Sequence, residues 1–148
     1  FSRGGKLILY HGWGDAAIPP EMTIDYFDAV NARMGAAASR SMRLFMVPGM
    51  EHCNAGPGLN SFGQGAPPLL GADPAEDIGA AMEAWLVRGR APEQIVGVSA
   101  KNTAVGPMDR RAAEVQRTGL ICAWPKVPVW DGKGNPDKAE SYACRKPG

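Results

Sequence analysis

The chain has 148 residues, 45% of them hydrophobic, and its 16 lysines and arginines against 15 aspartates and glutamates leave a net charge of +1. Basic residues so scattered exclude the footprint of a nucleic-acid binder and a polybasic membrane anchor, and no apolar run approaches the roughly 20 residues that span a bilayer. The length suits one ordinary domain whose partner is a small or uncharged molecule.

The first strand begins within a few residues of Phe1, so the chain reads as a domain entered part-way, and Phe1 to Tyr10 lacks the layout of a signal peptide. Lys6 to Tyr10 is a continuous apolar run, as in a strand buried on both faces of a parallel sheet. Gly12, Gly14, Pro19 and Pro20 make the next stretch a loop. Glu21 to Met34 carries Met22, Tyr26, Phe27, Val30 and Met34 near helical spacing and predicts an amphipathic helix stopped at Gly35. A small-residue connector then leads into a strand from Arg43 to Val47, and the unit should bring its two strands parallel.

The glycines and prolines between Asn54 and Leu70 predict a loop lying over the surface. Asp73-Pro74-Ala75-Glu76 has the pattern of a capped helix start, and the helix should run to about Arg88 with Ile78, Ala81, Met82, Trp85 and Leu86 buried. Ile95 to Val98 suggests a short strand. Lys101 to Arg117 is polar and weakly patterned, and from Leu120 onward the chain reads as an irregular tail carrying Trp124, Trp130 and Tyr142. The fold class is therefore α/β, with parallel strands, flanking helices and that tail.

Three cysteines, Cys53, Cys122 and Cys144, show neither CxxC spacing nor a His/Cys cluster, which argues against a zinc site. Cys122 and Cys144 flank a loop rich in Pro, Gly, Asp and Lys, which a disulfide would stabilise by about 3 kcal/mol in an oxidising compartment. Three free thiols in a cytosolic protein are the alternative.

Asp15 and His52 each lie a few residues beyond the carboxyl end of a predicted strand, where open α/β sheets gather their functional groups. An aspartate that orients a histidine, and a histidine that takes a proton from a nucleophile, are two thirds of an acyl-transfer triad, here in the chain order of α/β-hydrolases. The nucleophile elbow is lacking, because no Gly-x-Ser-x-Gly occurs. Ser61 falls in a loop after the histidine, so the expectation is a serine on an earlier strand. His11 is too close in sequence to Asp15 to be the base and is expected to be structural. Trp13 either lines the cleft or packs on a neighbouring helix.

The runs Gly5-Lys-Leu-Ile-Leu-Tyr-His-Gly-Trp-Gly-Asp-Ala-Ala-Ile-Pro, Val47-Pro-Gly-Met-Glu-His-Cys and Ala84-Trp-Leu-Val-Arg-Gly-Arg-Ala-Pro-Glu-Gln-Ile, with Cys122-Ala-Trp-Pro and Cys144, resemble the C-terminal part of the tannase and feruloyl esterase family, which includes hydrolases of terephthalate monoesters. The resemblance spans nearly the whole chain, and its specific element is the His-Cys pair after a Pro-Gly turn. It implies a secreted α/β-hydrolase in which Asp15 is the acid, His52 the base, and Ile18 faces the acyl group of an aromatic ester. It also implies that Cys53 is bridged to a cysteine beside the nucleophilic serine. That serine, the oxyanion donors and a lid with a calcium site would lie in an N-terminal portion preceding Phe1, leaving no cofactor in these residues and the fragment alone inactive. The rival expectations are a non-catalytic binding or assembly module derived from a hydrolase, and another hydrolase subfamily such as a lactone hydrolase or peptidase.

Overall fold

Leu7–Gly12 forms β1 and Met42–Val47 forms β2, paired in parallel from Leu7 against Met42 to Gly12 against Val47. They belong to a computed structural model that describes residues 1–52, 54–65, 69–101 and 113–148. The connection is α1, Pro20–Met34, and the single turn α2, Ala36–Ser39. Gly35 separates the two helices at φ +53°, a left-handed conformation that few other residues hold cheaply. The α/β unit is thus the one the apolar runs lead to expect, with a helical turn inside the connector.

Burial differs from expectation. β2 is almost wholly buried, whereas β1 is only half-buried, with β2 along one side. On α1, Met22, Tyr26 and Met34 are exposed, and Pro20 is the only buried residue. The helix has the periodicity of a buried face, but of the predicted stripe only Phe27 and Val30 are partly covered among the described residues.

The second helix, α3, runs from Ile78–Arg88 and starts later than the Asp73-Pro74 signal suggests. Asp73 uses its carboxylate on the Ala75 amide in a turn of its own. Asp77 is the true N-cap, accepting from Gly79 and Ala80, because the Ile78 amide is taken by the Phe62 carbonyl of the preceding loop. Ala81, Ala84 and Trp85 are buried, while Leu86 is exposed, which corrects the predicted stripe. The Lys6 ammonium and the Arg43 guanidinium lie 5.4 and 5.3 Å from the Trp85 ring centre.

The region read as a short strand and an irregular tail is mostly antiparallel sheet. Strand β3, Gln94–Lys101, pairs with β4, Glu114–Cys122, and β5, Val127–Trp130, pairs with β6, Tyr142–Arg145. An antiparallel bridge from Phe45 to Ala123 joins the end of β4 to β2. The Cys122–Cys144 disulfide fastens β4 to β6, closing 22 residues of chain. Cys53, and most of the polar stretch after Lys101, lie outside the described residues.

The core gathers Phe45, Val47, Met50, Leu59, Phe62, Ala81, Ile95, Ile121 and Ala123, with Tyr10 edge-on to Phe62 at 5.4 Å. Leu59 and Phe62 belong to the stretch expected over the surface, so that expectation is corrected too. Buried backbone needs hydrogen-bond partners. Asn60 supplies them to Ala100 by accepting from its amide and donating to its carbonyl, and Gln64 does the same between Phe62 and Asn60.

Candidate active site

Parallel pairing puts the carboxyl ends of β1 and β2 side by side, and the two loops leaving them are stitched together. The Trp13 amide donates to the Val47 carbonyl and the Gly14 amide to the Met50 carbonyl, at 3.0 and 2.8 Å. Gly12 makes this approach possible, since a Cβ on it would collide with the Met50 and Glu51 carbonyl oxygens. Behind the second loop, Gly49 adopts φ +67° against the backbone of Gly58.

At this junction His52 Nδ1 lies 2.8 Å from Asp15 Oδ2. A carboxylate only accepts, so Nδ1 carries the proton and Nε2 is left as the basic nitrogen. The His52 side chain is 55% exposed, while that of Asp15 is 2% exposed. The carboxylate is therefore enclosed and the imidazole faces outward.

Asp15 is held by its own loop as well. Oδ1 accepts from the Ala17 and Ile18 amides at 2.8 and 3.0 Å. These bonds, the one from Ile18 foremost, lower its pKa from the usual 3.8 to about 2 against the opposing effect of burial, and His52 lowers it further. A carboxyl with a depressed folded-state pKa stabilises the fold fully above its unfolded value, and the contribution fades as pH falls through the folded value. Asp15→Asn should therefore lower the melting temperature at about pH 5 and above, with the gap from wild type shrinking between about pH 4 and about pH 2. Melting curves at stepped pH measure it, and a gap independent of pH would refute the assignment.

The other named residues fall around this pair. Ile18 gives Asp15 its amide and leaves its side chain 43% exposed. Trp13 is equally exposed, and its ring lies 6.3 Å from that of Trp124, just beyond β4, rather than on a helix. Ser61 is 1% exposed, within the core. His11, expected to be structural, touches the Asp15 carboxylate itself, with Nε2 3.1 Å from Oδ2. The signal was present in the sequence: four residues is too short a separation for an acid and base in one loop, but it suits a histidine closing on the carboxylate. Among the described residues no group of three or more His, Cys, Asp or Glu gathers to hold a metal, and no helix is long and apolar enough to cross a membrane.

A family model described as tannase and feruloyl esterase matches residues 1–145. The chain is 40% identical to an uncharacterized esterase of Xanthomonas campestris pv. campestris over 97% of its own length and 26% of the relative's. It is 36% identical to the mono(2-hydroxyethyl) terephthalate hydrolase of Piscinibacter sakaiensis over 98% of its own length and 20% of that enzyme's. A crystal structure of an esterase from Aspergillus oryzae superposes with a TM-score of 0.83 at 28% identity, covering 97% of this chain and 28% of that one. The chain thus spans about a quarter or less of the length of these relatives. With the model matched from Phe1 to beyond the second cysteine of the disulfide, the chain belongs to the tannase and feruloyl esterase family.

Proposed function

We propose that this chain supplies the acid and the base of a Ser-His-Asp carboxylic ester hydrolase acting on esters of phenolic or other aromatic acids. The observation that carries the reading is the Asp15–His52 bond, with an enclosed carboxylate on Nδ1 and Nε2 turned outward. As a serine Oγ attacks the ester carbonyl, His52 Nε2 takes its proton, and Asp15 holds Nδ1–H and balances the imidazolium. The alcohol leaves with that proton. Water then enters through the same base and releases the acid from the acyl-enzyme.

The serine and the oxyanion donors belong, on this reading, to a preceding part of the same catalytic domain, of which these residues are the C-terminal part, inactive alone. Relatives about four times as long support it. So does the burial of Ser61, which leaves that hydroxyl no approach to a substrate. Ile18 and Trp13, exposed beside the acid, would face the aromatic acyl group. The Cys122–Cys144 disulfide favours an oxidising, extracellular or periplasmic location.

A fluorophosphonate reacted with the complete gene product should label one serine outside these residues and block hydrolysis of phenolic methyl esters or terephthalate monoesters. Labelling of Ser61, or absence of any ester turnover, would refute the reading and bring forward a non-catalytic module on a hydrolase fold.

A further inference from the structure

The acid has a second histidine. His11 Nε2 faces only acceptors, Asp15 Oδ2 at 3.1 Å and the Ile18 carbonyl at 3.2 Å, so it must carry a proton. Its other nitrogen, Nδ1, lies 2.7 Å from the Thr23 hydroxyl in the first turns of α1. In the neutral ring Nδ1 is an acceptor, so Thr23 donates to it and selects the tautomer that donates to Asp15. The His11 side chain is 10% exposed, which leaves water little share in these bonds.

Asp15 then receives four donors. Two amides fix Oδ1, and two imidazoles share Oδ2. The amides alone hold one oxygen and leave the carboxylate free to pivot about it. Because the His52 ring is hung from Oδ2, any such pivot would carry the base with it. His11 pins that oxygen with a second donor beside that of His52, and Thr23 anchors His11 to the helix.

We propose that Thr23 and His11 are a positioning pair that sets the orientation of Asp15, and through it that of His52, without touching the substrate. The inference rests on reading Asp15 and His52 as acid and base. In the complete enzyme, Thr23→Val keeps the shape of the side chain and removes its donor, and should lower kcat for an aromatic methyl ester about 10-fold, as expected for one lost hydrogen bond, with KM changed less than about 2-fold. Thr23→Ser restores the donor and should stay within about 2-fold of wild type. In a His11→Gln background, Thr23→Val should add little to the loss, because its effect passes through the imidazole.

A Thr23→Val enzyme with unchanged kcat, a serine variant as slow as the valine one, or full additivity with His11→Gln would overturn the proposal. An inactive wild type, or an active His52→Ala protein, would instead count against the esterase reading. Melting temperatures then decide the positioning pair without activity. Thr23→Val and Asp15→Asn should combine to a shift smaller than the sum of their separate shifts by about 2 °C or more if His11 links them, and additive shifts would overturn it.

Discussion

A His52→Ala variant of the complete enzyme should keep its fold and lose about 10⁴-fold or more in kcat, with a much smaller change in KM. Both halves of this result follow from the site. Among the described residues the His52 ring is more than half exposed and bonds to Asp15, so removing it opens no cavity on this side of the site and should move the melting temperature by no more than about 2 °C. Within these residues the chemistry has no substitute base, because the other histidine, His11, has its Nε2 turned to Asp15 and the Ile18 carbonyl. Steady-state kinetics on a phenolic methyl ester, with melting curves on the same preparations, measure both. Retained turnover would remove His52 from the mechanism, and a collapse in stability would make the loss uninformative about catalysis.

The second large effect is expected at a residue that touches no substrate. Gly12→Ala places a methyl group against the Met50 and Glu51 carbonyl oxygens, which are backbone and cannot rotate aside. The loop carrying Asp15 and the loop carrying His52 must then separate, and a displacement of about 1 Å in a catalytic pair can cost about 10²-fold in rate. The crowding should also destabilise the fold by about 1–3 kcal/mol. Gly5→Ala, where a methyl group meets nothing within 4 Å, is the control and should be silent in both measurements. If Gly12→Ala turns over normally, the two loops are not held together in the way the structure indicates.

The crossover from β1 to β2 was legible because it is written locally. An apolar run, a helical period, a glycine stop and a second apolar run suffice to place Asp15 and His52 at neighbouring strand ends. What the sequence concealed depends on partners distant along the chain. The first half of β4, Glu114 to Arg117, has no apolar alternation and owes its strand form to the ladder with β3. Pro128 argues against a strand at Val127–Trp130, yet that strand pairs with β6. The loop from Leu59 to Gln64 lies in a stretch whose glycines and prolines read as surface, whereas its amide side chains serve buried backbone. On α1 the period was right and the burial was not, since periodicity shows that a face is apolar and not what covers it. At the site, the short separation of His11 from Asp15 speaks only against a base, and it takes the folded loop to bring its Nε2 against the carboxylate.

The strand register confines the places where this unit can change length. Because β1 and β2 run parallel, the loops bearing Asp15 and His52 leave from one pole of the pair, and the turn from Gly35 to Ser41 enters β2 at the other. Extra residues inserted at that far turn alter nothing in the pairing of Leu7 with Met42 or of Gly12 with Val47, so Asp15 and His52 keep their separation. A single residue added between Val47 and His52 would instead swing the imidazole away from its carboxylate. Insertions and deletions in natural variants should therefore collect at one end of the unit and be purged from the other.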